Sequence, residues 1–215
     1  MYTDTDTLKK FSGIDFEPEV TSIVAKMIAS SQRHIENYCG DENFGNRRFQ
    51  VAEGEQSETR YFDGNGANRL YIGDLLGVTQ IRIDSNIQEN YFAYPPVSEV
   101  QPHTYIELPK ADNQVFPVGQ QNVQVDGIFA FSREVPPDIE VAVLRIATAL
   151  LKEHQDKDVL EVKSESLGDY DVTYQDLNKI VNRVEVIDLL KPYVRTTQEG
   201  ADDGRKRATT GLRQI

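Results

Sequence analysis

Two hydrophobic periods divide this chain, and the switch between them limits what it can fold into. Residues 18 to 38 place Val20, Ile23, Val24, Met27, Ile28, Ile35 and Tyr38 at three- and four-residue steps, the spacing of one apolar helical face. Pro18 suits a first helical turn, Glu17 and Glu19 complement its positive end, and Gly40 stands where a helix commonly stops. A shorter helical piece is expected upstream, over Leu8 to Ile14. From about Arg47 to Arg133 the pattern changes to short runs rich in aromatic and β-branched residues. These are Arg60-Tyr61-Phe62, Arg69 to Ile72, Val78 to Ile83, Thr104 to Leu108 and Asn122 to Phe131, and each reads as a strand. Asp63-Gly64-Asn65-Gly66 tolerates positive φ and predicts a tight hairpin turn between the first two. Pro95, Pro96, Pro102, Pro109 and Pro117 discourage long central strands in the later part.

The helical period then returns. Pro136-Pro137-Asp138 opens a helix whose stripe is Ile139, Ala142, Val143, Ile146, Ala147, Leu150 and Leu151, with alanines small enough to let another helix approach. Asp176 is placed to cap a third helix, with Leu177, Ile180, Val181, Val184, Ile187 and Leu190 facing inward and Pro192 limiting its end. The expected fold is therefore α+β: a bundle of three or more helices with an inserted small antiparallel β domain and an extended C-terminal tail. The corresponding segments are an N-terminal helical part at 1–46, a β-rich insertion at 47–133, C-terminal helices with an extended arm at 134–195, and a tail at 196–215. At 215 residues the chain is long enough to bury about 70% of its unfolded surface.

Between the second and third helices, residues 162 to 174 read VKSESLGDYDVTY. The second half alternates, so that Tyr170, Val172 and Tyr174 share one face while Asp169, Asp171 and Thr173 share the other. An extended arm of this kind needs a neighbour to cover its aromatic side, which makes Asp169, Tyr170, Val172 and Tyr174 candidate subunit-interface residues. An ordinary strand within one subunit is the competing reading of the same pattern.

Searching for chemistry finds little. His34, His103 and His154 do not share the spacing that puts two metal ligands on one helical face, and no Gly-x-Ser-x-Gly elbow or phosphate-cradling glycine loop occurs. His34 and His154, near helix ends, are expected at a surface or interface, and His103 in a loop. Residues Asp63 to Asp74 begin like a calcium loop, but Ala67 and Asn68 stand where a ligand and the turn glycine belong. No catalytic, metal-binding or cofactor-binding residues are assigned, and the expectation is a protein that is not an enzyme. The one cysteine, Cys39, cannot form an internal disulfide, and packing is its expected role. No apolar run reaches the roughly 20 residues that a membrane helix requires, and the first residues lack the basic and apolar parts of a secretory signal, so synthesis in the cytoplasm is expected.

Net charge bounds the partners. At −12, the chain is poorly suited to hold DNA through its phosphates, since that attraction rests on Lys and Arg displacing counterions. An acidic lining beside DNA that must slide past would use the same charge as repulsion. A nucleic-acid-binding accessory role is the alternative, carried by Arg205-Lys206-Arg207 and the aromatic β segments. It requires stacking rings on an exposed sheet face beside a positive groove.

Four segments in order, Tyr61-Phe62-Asp63-Gly64, Asp74-Leu75-Leu76-Gly77-Val78-Thr79, Pro136-Pro137-Asp138-Ile139 and Glu165-Ser166-Leu167-Gly168-Asp169-Tyr170, resemble the head-tail connector (adaptor, or head completion) proteins of long-tailed bacteriophages. The likeness spans Leu8 to Arg195; the loops around Asp84 to Gln101 and the tail exceed the compact family pattern. What the resemblance implies is a dodecameric ring docked under the portal in the virion neck. Such a ring lengthens the DNA channel, lets packaged DNA pass without specific binding, and presents a surface to the next neck or tail protein. The family's C-terminal segment commonly anchors on the portal. Here that role would fall to the polar, glycine-rich tail, with Arg205, Lys206, Arg207, Leu212 and Ile215 as portal-binding residues.

Overall fold

The computed structural model describes residues 1–51, 57–96, 101–160 and 185–195, and the chain divides into two compact units: Met1–Asp41 with Glu140–Ile215, and Glu42–Ile139. In the first unit, Asp4 caps α1 (Thr5–Ser12), its carboxylate accepting from the Thr7 amide at 2.7 Å, and Gly13 ends the helix at a left-handed φ of 66°. Pro18–Val20 form a single 3-10 turn that leads into α2 (Thr21–Cys39), so the long helix starts slightly later than its periodicity suggests. Gly40 donates its amide to the Glu36 carbonyl at 3.0 Å and stops it. The inner face of α2 is Val24, Met27, Ile28, Ser31, His34, Ile35 and Cys39. The Tyr2 hydroxyl donates to Glu36 Oε1 at 2.6 Å, fixing the N-terminal segment on this helix.

α3 (Pro137–Leu160) continues the apolar stripe read from the sequence: Ala142, Val143, Ile146, Ala147, Leu150 and Leu151 are all buried. Of the expected third helix, the described residues contain α4 (Ile187–Leu190) and the 3-10 turn Lys191–Tyr193 that Pro192 joins. Val186 and Leu190 are buried there, and the Arg195 amide donates to the Cys39 carbonyl at 3.0 Å, returning the chain to the end of α2.

Among the described residues the second unit has seven strands: β1 (Glu58–Gly64), β2 (Arg69–Leu75), β3 (Gly77–Ile83), β4 (Asn86–Ile87), β5 (Phe92–Tyr94), β6 (His103–Glu107) and β7 (Gly119–Ile128). They form two antiparallel sheets, ordered β1-β7-β3-β4 and β2-β6-β5. One hydrophobic cluster takes side chains from both: Ile81, Val123 and Val125 from the first, Leu70, Ile72 and Ile106 from the second, with Phe116 and Phe129 from the connections. A sandwich of two sheets around a shared core follows. Near one end of it, the Arg47 guanidinium pairs in two-pronged fashion with Asp74, Nε to Oδ2 at 2.8 Å and Nη2 to Oδ1 at 3.0 Å. The Phe131 ring lies 4.6 Å from the Arg47 guanidinium carbon.

This architecture corrects the expected fold class. A bundle of three or more helices carrying a small β insertion is not what forms. The β unit spans Glu42–Ile139, has two sheets of four and three strands and its own core, and among the described residues only α2 and α3 are helices longer than eight residues. Aliphatic residues on the inner faces of both sheets bury one another, so this unit has a core independent of the helical stripes.

The hairpin at Asp63-Gly64-Asn65-Gly66 is corrected too. β1 and β2 do not pair; the turn carries the chain from one sheet to the other. Its backbone is tied to a remote loop instead, with the Gly66 amide donating to the Phe116 carbonyl and the Phe116 amide to the Ala67 carbonyl, both at 2.8 Å. Gly64 is essential to this close approach, because a Cβ there would stand 1.8 Å from the Pro117 carbonyl oxygen. Two histidines also move. His34 is buried, since it follows Met27 by two helical turns on the same face, and that burial pushes its imidazole pKa down. His103 lies in β6 rather than in a loop.

Candidate interaction surface

The outward face of the three-stranded sheet is aromatic. Register places Tyr71 of β2, Tyr105 of β6 and Tyr94 of β5 directly opposite one another in one row, and Arg69, Glu107 and Phe92 in the next. Their neighbours in sequence, Leu70, Ile72 and Ile106, point into the core, so alternation alone turns these six residues outward. Tyr94 and Tyr105 stack with centroids 5.5 Å apart and planes 24° from parallel, and Tyr71 meets Tyr105 edge-on at 5.7 Å. Phe92 extends the ladder at 6.4 Å from Tyr94 and is 54% exposed. Aromatic cross-strand pairs of this geometry each contribute about 0.5–1.5 kcal/mol beyond burial, so the ladder is a stiff wall.

Charge on this face is held in place. The Arg69 guanidinium carbon lies 4.3 Å from the Tyr105 centroid, and its Nη2 donates to Glu107 Oε2 at 3.1 Å. That bond from Arg69 is the main reason the Glu107 carboxyl is held below its ordinary pKa, and Glu107 in turn raises that of Arg69. Lys110 approaches the same carboxylate at 3.5 Å. Arg69 packs on Tyr105 from the β2 strand and Tyr94 from the β5 strand, so the central ring of the row is already engaged. The ring most open to a partner is Phe92, at the outer end of the ladder.

None of these six residues stood out from the sequence as a site. The signal was present as Arg69-x-Tyr71, Phe92-x-Tyr94 and His103-x-Tyr105-x-Glu107, three outward alternations with aromatic members. The residues that did stand out, Asp169, Tyr170, Val172 and Tyr174 for the subunit interface and Arg205, Lys206, Arg207, Leu212 and Ile215 for the portal, lie outside the described residues. Among the described residues no helix is long and apolar enough to cross a membrane. No protein-family model matches the chain, and no curated protein matches it.

Proposed function

We propose that this chain is a non-enzymatic assembly subunit, a head-tail connector of a tailed phage that forms a ring on the portal, extends the DNA channel and docks the next neck protein. One observation carries the assembly part: the Phe92–Tyr94–Tyr105–Tyr71 ladder on the outside of a sheet whose inner side already has a complete core. Tyrosine supplies large contact area at low conformational cost, which is why protein interfaces are enriched in it. The virion part rests on the ordered sequence resemblance described above, with the net charge of −12 suited to DNA that passes without sticking.

A nucleic-acid-binding role draws less support from the same face. Stacking platforms need exposed ring faces beside a positive groove. Here Arg69 and Tyr94 already pack on Tyr105, and Glu107 stands among the cations.

The test is immunogold labelling, with antibody to this chain, of particles released by the cells that encode it. Label at the junction of head and tail is the expected result. Particles that lack the chain, or carry it as a single copy, would overturn the proposal.

A further inference from the structure

This inference rests on the assembly reading and names the contact between copies. The three-stranded sheet ends in β2 on one side and β5 on the other, and neither outer edge is paired with a strand among the described residues. Both edges carry two outward residues in the same rows. β2 presents Arg69 and Tyr71, β5 presents Phe92 and Tyr94, and β6 supplies Glu107 and Tyr105 between them. The two edges are therefore complementary: a guanidinium, held on Tyr105 and Glu107, can also border an exposed ring, and a tyrosine can meet a tyrosine.

The backbone has matching groups. The Leu108 amide donates to the Asn68 carbonyl at 2.8 Å, which makes Asn68 and Leu108 a hydrogen-bonded pair. Antiparallel alternation then turns the N–H and C=O of Arg69 and Tyr71 away from β6, to the open edge. Glu107 and Tyr105 direct theirs toward β5, which leaves Ala93 as the residue of β5 whose N–H and C=O point outward. β2 and β5 are each antiparallel to β6 and so run parallel to each other. A parallel bridge centred on Ala93 and a second copy's Leu70 joins the Ala93 N–H to the Arg69 carbonyl and the Tyr71 N–H to the Ala93 carbonyl. The Arg69 carbonyl already accepts from Asn65 Nδ2 at 2.9 Å, and its second lone pair serves the bridge. The same register sets Phe92 beside Arg69 and Tyr94 beside Tyr71 of the neighbouring copy, and the second of these repeats across the seam the tyrosine pairing seen within the sheet.

We propose that β5 of one copy adds to β2 of the next, so that their three-stranded sheets become one continuous sheet with an unbroken aromatic ladder. The contact is head-to-tail, with a different edge used on each side, and such contacts close into rings when the rotation permits.

A full-length variant with Arg69→Cys, Phe92→Cys and Cys39→Ala tests it. Within one copy β6 separates positions 69 and 92 by two strand spacings, roughly 9–10 Å, too far for a disulfide. Across the seam they are neighbours. Mild oxidation should give a series of covalent multimers larger than dimers on a non-reducing gel, collapsing to monomer with reductant, whereas each single-site cysteine variant stops at dimer. Phe92→Lys, which sets a second cation against Arg69, should raise the concentration at which the chain assembles by roughly tenfold without changing its circular dichroism. Monomer alone from the oxidised double-cysteine variant overturns the seam. If the unaltered chain still shows a multimeric mass by light scattering, assembly through another surface stands and only the seam is lost; if it is monomeric as well, both readings fall.

Discussion

The two outer faces of the β unit enclose one core and yet differ in chemistry. On the four-stranded sheet the outward residues are Thr59, Gln80, Arg82, Gln124 and Asp126, with two exposed apolar members, Tyr61 opposite Gln124 and Ile87 opposite Arg82. Four of the polar members are tied together: Asp126 accepts from Thr59 at 2.6 Å, from Gln124 at 3.0 Å and from Arg82 at 3.1 Å, bonds led by that of Thr59 that hold its carboxyl below the ordinary range. On the three-stranded sheet the same structural positions are filled by four rings, Tyr71, Tyr94, Tyr105 and Phe92, and one ion pair, Arg69 with Glu107. Both sheets need their inner residues to fold, but neither needs a particular outer face, so the ring-rich one is where the proposed contact between copies is sought. The lesson is that outward composition, compared between sheets sharing a core, singles out the face on which a contact is worth testing.

Four measurements would break or sharpen that contrast. Asp74→Ala leaves the Arg47 guanidinium buried without its two-pronged partner and should destabilise the β unit by about 3–5 kcal/mol in urea unfolding. Both faces should then be lost together; a much smaller cost would mean that the pair is not part of the shared framework. Tyr105→Thr removes one stack, one edge-on pair and one cation–π contact, which together should cost about 1–3 kcal/mol and should also abolish assembly measured by light scattering. Retained assembly would strip the aromatic face of its assigned role.

Acid should act on both faces. Asp126 and Glu107 each have a folded pKa below the ordinary carboxylate value, so their contribution is complete above that value and is lost as pH falls through the depressed one. Urea midpoints should therefore drop between neutral and strongly acidic pH, and Glu107→Gln should flatten part of that dependence; an unchanged slope would contradict the pairing with Arg69. Gln80→Thr, on the polar face, should shift stability by no more than about 0.5 kcal/mol and leave assembly intact.

Much of the secondary structure was legible, because alternation such as Val123-x-Val125 and the stripe from Ile139 to Leu151 follow directly from the two periods. Pairing was not. Asp63-Gly64-Asn65-Gly66 announces that the chain reverses, but nothing local says that β1 will choose β7 over β2. The short β5 was hidden by its prolines, since Pro95 and Pro96 follow it immediately and break the run a strand is recognised by. His34 could have been placed correctly from its spacing to Met27; its place near the helix end argued for a surface, and the helical face outweighed it. The ladder was the hardest to see, as its members come from three strands separated by up to 34 positions, between Tyr71 and Tyr105, and only register unites them.

The tie between the Gly64 turn and the Pro117 loop sets how freely this protein can vary. Any side chain at position 64 must displace a carbonyl oxygen that is part of another segment's backbone, whereas nothing lies within 4 Å of where a Cβ at Gly77 would be. Random mutagenesis followed by selection for the folded state should thus return glycine at 64 almost without exception while letting 77 drift, making the first a fixed point around which the remaining loop sequence is free to diverge.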